Sequence, residues 1–398
     1  MMAMMERSSS SELPEALKEE ILKRLPLESL CRCRSVYQEW NTLFTSTRFI
    51  TTLWANFPSN KQPCLGLCYL NNVDPQNYCW TYCFSTRMWK SSFSLSFLEG
   101  MSSGTFCEGS ATGLLLFHIS YRQDRNLNLL VGNPLTGRSL MLPMLPSMFP
   151  SMRIVLAEGI VGGDFDGNRQ TYKVVVVSAV YSQSGARQRN VEIFDSSEKI
   201  WRVATCIPDN ISIKASKMVF SKGYFYCEAA FHSPELHIEG RPGIVGVSLQ
   251  NENSIFAPFP ALANDNMGHY LVACRSRILL ARCVFEADPK FLKEVHIWEL
   301  VKVKMGSHNY ASWMQIAKMP ASMCDDVSRI WPTEGLFEFV GVGDYVCFKG
   351  IRSMKVAVYS LTEKSWSWLP SCPLQNHIRV SDATWIFPFE PRLDMKVN

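Results

Sequence analysis

From Pro63 onward the chain repeats one unit, and this repetition constrains the fold more than any other feature. Each unit is an apolar strand, a polar turn of four to six residues, and a second apolar or Trp-led strand ending near Leu-Pro. The copies read YCWTYCFSTRMWKSSFSL, NLLVGNPLTGRSLMLPMLP, NVEIFDSSEKIWRVATCIP, IVGVSLQNENSIFAPFPAL, VHIWELVKVKMGSHNYASWMQIAKMP and VAVYSLTEKSWSWLPSCP. Comparable turn positions fall near Ser85, Asn133, Asp195, Ser248, Glu299 and Ser360, at intervals of 48, 62, 53, 51 and 61 residues. Between them lie further strand-like runs such as GLLLFHIS, TYKVVVVSAVY, GYFYCEAAF, RILLARCVF and DYVCFKG. About four strands per roughly 50 residues is the sequence form of a β-propeller blade. A twisted four-stranded sheet cannot bury both faces alone, and radial stacking covers each face with a neighbouring blade. Six copies favour six blades, with seven open if a divergent blade hides in a long interval. One strand, CLGLCYL, precedes the first copy, and the tail RVSDATWIFPFEPRL follows the last. Pairing the two would close the ring and remove its open sheet edges.

The first sixty residues follow another period. Leu13, Leu17, Ile21 and Leu25 recur four apart, with Leu22 beside them, which predicts one face of a helix. Pro14 suits its first turn, and Pro26 ends it. A short second helix is predicted over Leu27 to Cys33. A third carries Val36, Trp40, Leu43 and Phe44, with Ser35 as N-cap. Three short helices in about forty residues bury too little surface to stand alone. Their apolar residues must pack either on the rest of this chain or on a partner protein.

Composition narrows the class. Lys and Arg number 40 against 36 acidic residues, a net charge of +4 with no basic run, which weighs against nucleic acid as a partner. The longest apolar stretches, such as VVVVSAV from Val174 to Val180, have strand length and fall short of the roughly 20 residues of a membrane helix. The N-terminus MMAMMERSSSSE lacks the apolar core of a signal peptide, so the 14 cysteines are expected as thiols in a reducing compartment. Cys64/Cys68 and Cys79/Cys83 have ligand-like spacing. Positions i and i+4 of a strand also share a face, and no His pair completes a zinc site, so these read as small core residues. The sequon Asn210-Ile211-Ser212 needs a secretory route to be used.

No catalytic set emerges. Gly100-Met101-Ser102-Ser103-Gly104 matches the nucleophile pattern, but loop and strand follow it rather than a helix. Asp164-Phe165-Asp166-Gly167-Asn168 opens like a calcium loop, yet Arg169 and Val175 stand where Gly and the bidentate Glu belong. The expectation is a non-enzyme without cofactor or metal. Arg122, Arg187 and Trp331 are candidates for target contact only because Arg and Trp favour hot spots.

The helical start resembles an F-box, through Leu13-Pro14, Ile21-Leu22, Leu25-Pro26, Leu30, the RCRSV step from Arg32 to Val36, and Trp40. The remainder resembles the F-box/kelch-repeat proteins of land plants, through SATGLLLF, NPLTGRSLMLP and FEPRL. It departs from kelch blades in having one adjacent Gly pair, Gly162-Gly163. The resemblance implies a small all-α F-box at 12–53, after a disordered start at 1–11. A linker at 54–62 would lead to an all-β kelch-like propeller at 63–398, closed by a strand near 383–393. It also implies a substrate receptor of an SCF-type cullin-RING ubiquitin ligase, cytoplasmic and/or nuclear. The F-box would bind a Skp-family adaptor and, through it, cullin and a RING subunit; the propeller would hold a protein target. By the same resemblance, Leu13, Pro14, Ile21, Leu22, Leu25, Pro26, Leu30, Val36 and Trp40 form the adaptor-facing or interface-supporting set. Some of these, Val36 and Trp40 above all, could instead only hold the helices together. The alternatives are a propeller scaffold without a ligase role and a propeller enzyme.

Overall fold

The computed structural model describes residues 14–25, scattered positions from 29 to 49, and residues 63–397 apart from segments between strands, the longest being 374–383, and positions 393, 394 and 396. The chain separates into two units, Met1–Lys61 and Gln62–Asn398.

In the second unit the described strands form six sheets, antiparallel apart from the short parallel pairing of Ser216–Lys217 with Ala157 and Glu158, and each recurring copy is the outer hairpin of one sheet. The second blade shows the plan: Gly104–Ala111 at the axis, then Leu114–Ser120, Asn128–Asn133 and, outermost, Arg138–Met141. The other inner strands are Arg153–Gly163, Val219–Ser221, Met267–Cys274, Phe337–Val342 and Thr384–Phe389. They follow one another round a closed ring. This is a six-bladed propeller. The second strand of each blade is covered on both faces, so it reads as a continuous apolar run; Leu114, Leu115, Leu116 and Phe117 are all buried. Outer strands such as Ile200–Ile207 face solvent over most of their length, with Trp201 and Ile207 buried.

The repeated turn has a local cause. Asn133 and Asp195 each accept, on Oδ1, the backbone N–H two residues on, at 3.0 and 2.9 Å, and Ser360 Oγ accepts from Glu363 N at 3.1 Å. Four residues after each comes a position in the left-handed region: Gly137 (φ 68°), Lys199 (φ 59°) and Lys364 (φ 53°). Each donates its N–H back to the first residue's carbonyl, at 2.8–2.9 Å. The Trp and Leu-Pro ends of the repeat also meet. The indole of Trp201 in the third blade donates to Pro143 O of the second (2.8 Å). Trp313 of the fifth donates to Pro258 O of the fourth (2.9 Å), and Trp89 of the first to Pro370 O of the sixth (2.7 Å). The motif is therefore a latch between neighbouring blades.

The ring closes with the first and last strands. Thr384–Phe389 pairs antiparallel with Cys64–Tyr69, bringing Leu67 opposite Ile386, and becomes the inner strand of the first blade. Lys349, 0% exposed, donates to Gly350 O (2.9 Å), Ile351 O (3.1 Å) and Thr384 O (2.7 Å), tying the sixth blade to the closing strand. Ser110 Oγ donates to Pro388 O from the second blade. Beyond the strand, the buried Asn133 donates to Arg392 O (3.0 Å) and Met395 O (2.9 Å). Met395 and Val397 join the core between the second and third blades. Close approach of inner strands requires small residues: a Cβ on Gly341 would lie 2.0 Å from Ala273 O of the next blade.

Two features correct the sequence reading. Glu299 is not at a turn; its strand runs Leu292–Met305 and pairs with His308–Lys318, because this blade's outer strands are longer than the others. A helix, Ala321–Ile330, connects the fifth and sixth blades, burying Met323, Cys324 and Val327 against the core. Its Ser328 hydroxyl accepts from Leu292 N at 2.9 Å.

Candidate functional site

The N-terminal helix runs Glu15–Lys23, with Pro14 at its N-cap and its carbonyl accepting from Leu17 N (2.9 Å) and Lys18 N (3.0 Å). Proline fits there because an N-cap needs no amide proton. Leu17 and Ile21, one turn apart, are 50% and 45% exposed. Leu22 and Leu30 are buried, Leu25 and Trp40 half-buried, and Pro14 exposed. The helical stripe thus divides into two apolar residues facing out and one, Leu22, facing in. Sequence periodicity places Leu17 in that stripe without marking it as a partner contact; its exposure on a helix otherwise flanked by Glu and Lys singles it out. Leu13, Pro26, Val36, and the segments 1–11 and 54–62 lie outside the described residues.

The second candidate is the propeller's axis. A cavity of about 480 Å³ is lined by all six inner strands, among them Glu108, Lys217, Val272, Phe339 and Ile386. Its wall holds a charged network. Glu338 Oε1 accepts from Lys217 Nζ at 3.3 Å, and its Oε2 accepts from Ile386 N at 3.0 Å and lies 3.7 Å from Lys349 Nζ. Lys217 also donates to Cys107 O at 2.8 Å. Its side chain is 43% exposed although protein surrounds it, because what it faces is the channel. Burial disfavours its charge, but Glu338 and Glu108 outweigh that and raise its pKa. Lys349 is the reverse case: burial, only partly offset by Glu338, lowers its pKa to about 8. Burial and the neighbouring Glu158 raise the pKa of Glu108, with Lys217 opposing. A hydrogen bond to Glu158 Oε1 (3.2 Å) raises that of His118.

Sequence reasoning missed this network because its members are far apart in the chain. The available signal was a charge inside an otherwise apolar strand: Glu158 in RIVLAEGIVGG, Glu338 in FEFVGV, Lys349 in YVCFKG. The described cysteines are all free, with Cys68 and Cys79 buried opposite each other in the first blade. Gly104 opens an inner strand, whereas residues 100–103 and 164–168, Arg122 and Trp331 lie outside the described residues. Arg187 heads the third strand of its blade, and Ile211 and Ser212 of the sequon belong to a strand. Among the described residues no helix is long and apolar enough to cross a membrane.

Comparison with known proteins follows the same division. Residues 10–52 match the F-box domain and residues 101–337 the F-box associated beta propeller domain. The protein UNUSUAL FLORAL ORGANS of Arabidopsis thaliana is 23% identical over 91% of this chain and 79% of its own length. An F-box/kelch-repeat protein of the same plant is 24% identical over 98% of this chain and 90% of its own. F-box only protein 6, also from Arabidopsis thaliana, is 24% identical over 92% and 71%. A solved α-L-arabinanase from Penicillium chrysogenum aligns over 65% of this chain and 77% of its own at a TM-score of 0.40 and 7% identity, too weak a likeness to carry an inference. On the match across most of its propeller, and on the F-box that precedes it, the chain belongs to the F-box proteins with an F-box associated β-propeller.

Proposed function

We propose that this chain is the non-catalytic substrate-recognition subunit of an SCF-type cullin-RING ubiquitin ligase. The F-box docks on a Skp-family adaptor, and the propeller holds a protein target. The observation that carries the reading is an F-box at residues 10–52 followed in one chain by a six-bladed propeller. The exposed Leu17 and Ile21 support it, since two large apolar side chains on one helical face favour a covering partner.

In this reading Pro14, Leu17 and Ile21 touch the adaptor, together with Leu13. Leu22 and Leu30 support that surface from beneath, and Leu25, Pro26, Val36 and Trp40 complete the set. The ligase chemistry belongs to the partner enzymes. The propeller contributes proximity, raising the local concentration of the target's lysines near charged ubiquitin. The test is to compare proteins that accumulate in cells carrying the full chain with those in cells carrying the Leu13→Ala/Pro14→Ala double variant. The reading expects loss of adaptor co-purification and accumulation of a discrete set of propeller-bound proteins. Normal adaptor binding by the double variant would refute the interface; an unchanged proteome despite lost adaptor would refute the ligase role.

A further inference from the structure

We propose that Glu108, His118 and Glu158 form a divalent-cation site that clamps the second blade to the third beside the central channel. The three side chains offer ligand atoms that all lie within 4.8 Å of one another. Glu108 and His118 come from adjacent strands of the second blade, and Glu158 from the inner strand of the third.

Three observations support the site. First, Glu158 is 5% exposed, and its Oε2 has no hydrogen-bond partner among the described residues. A buried carboxylate oxygen left without a donor is costly, and a cation would satisfy it. Second, His118 Nδ1 stands 3.2 Å from Glu158 Oε1. Bonds of about 2.0–2.1 Å in a tetrahedral site place neighbouring ligands roughly 3.3 Å apart, so an ion that displaces the proton shared by the two groups meets them at ligand spacing and engages the Glu158 carboxylate through both oxygens. Third, Glu108 occupies a β-bulge: Cys107 pairs with Phe117 and Gly109 with Leu116, leaving Glu108 without an opposite residue. Such bulges re-aim a side chain at the expense of the ladder.

Glu108 lines the axial cavity, which gives an ion a route in and leaves room for water as a fourth ligand. Lys217 is the charge that could compete, but its ammonium is held by Cys107 O and Glu338. Within this network Glu108, Glu158 and Glu338 outnumber Lys217 and Lys349 by one carboxylate. One imidazole with two carboxylates suits a first-row ion such as Zn²⁺ or Co²⁺ rather than Mg²⁺.

The experiment uses the full chain in a Cys33→Ser/Cys64→Ser/Cys83→Ser/Cys206→Ser background, to remove from competition the described cysteines that are not buried. After chelation the protein is titrated with Co²⁺ and read by visible absorption and metal content. The proposal expects one Co²⁺ per chain, no thiolate charge-transfer band, and displacement by Zn²⁺. Glu108→Gln and His118→Gln should each weaken binding at least tenfold. Circular dichroism and the thermal midpoint of the metal-free variants serve as the folding control. Should His118→Gln fail to fold, Glu108→Gln decides the matter, because its residue stands outside the strand ladder. No Co²⁺ uptake, uptake unchanged in Glu108→Gln, or a thiolate spectrum alone would each overturn the site.

Discussion

Replacing Lys349 with Met should loosen the ring at its closure. The substitution keeps the buried stem and removes an ammonium that donates to Gly350 O, Ile351 O and Thr384 O and faces Glu338 at 3.7 Å. Hydrogen bonds to a charged group contribute about 1.5–3 kcal/mol each, so three amount to roughly 5–9 kcal/mol before offsets. Burial already opposes the charge, lowering the pKa from 10.5 to about 8. That shift corresponds to roughly 3 kcal/mol that Met does not incur. A net loss of about 2–6 kcal/mol remains, in line with breaking a buried ion pair from one side. An unfolding entropy of about 2.1 cal/mol/K per residue, over the roughly 340 residues of Gln62–Asn398, converts this to a fall of about 3–8 °C in thermal midpoint. Circular dichroism at fixed scan rate reads it, with Lys355→Met, an exposed lysine of the same blade, as the control. A Lys349→Met midpoint within a degree of wild type would refute the closure argument.

Other substitutions probe separate parts of the account. Burial raises the pKa of Glu228 from 4.5 to about 7 with Lys214 opposing, so its contribution to stability is full below pH 4.5 and lost as pH rises through 7. Glu228→Gln should therefore be more stable than wild type at pH 8, by up to about 3 kcal/mol, and close to it at pH 4.5; urea unfolding at both pH values measures the difference. Trp201→Phe keeps an aromatic, if smaller, ring but loses the 2.8 Å bond to Pro143 O, leaving that carbonyl without this donor. The expected loss is about 1–2 kcal/mol, read by chemical unfolding, and no loss would mean the blade latch is ornamental. Gly341→Ala puts a Cβ against Ala273 O and should yield an aggregated or strongly destabilised protein, checked by size-exclusion chromatography.

What could be read from the chain beforehand follows from how local its causes are. The propeller was legible because its outer hairpin is encoded within twenty residues: an Asn, Asp or Ser to start the turn, a left-handed residue four on, a Trp and a Leu-Pro to latch the next blade. The N-terminal helix was legible from its four-residue period. The helix Ala321–Ile330 was not, although Met323, Cys324, Val327 and Ile330 recur at helical spacing, because these ten residues lie between two strand copies and interrupt an otherwise all-strand repeat. The channel network was hidden for a different reason. Glu108, His118, Glu158, Lys217, Glu338 and Lys349 are joined by closure of the ring, a distance of over two hundred residues that no spacing rule spans. Which side of the N-terminal helix faces outward was likewise undecided by periodicity, since Leu17, Ile21 and Leu22 are all apolar and packing alone divides them.

We read the apolar face bearing Leu17 and Ile21 as a docking surface. Calorimetric titration of a purified Skp-family adaptor into the full chain tests it most directly, with wild type compared with Leu17→Ala/Ile21→Ala. Each side chain is about half exposed, so covering the two adds roughly half of the 1.5–3 kcal/mol of a full burial for each, about 1.5–3 kcal/mol together. Tight binding by wild type and a roughly 10- to 100-fold loss in the double variant are expected, with the propeller's unfolding unchanged. Equal affinity of the two proteins, or no heat of binding from wild type, would contradict it.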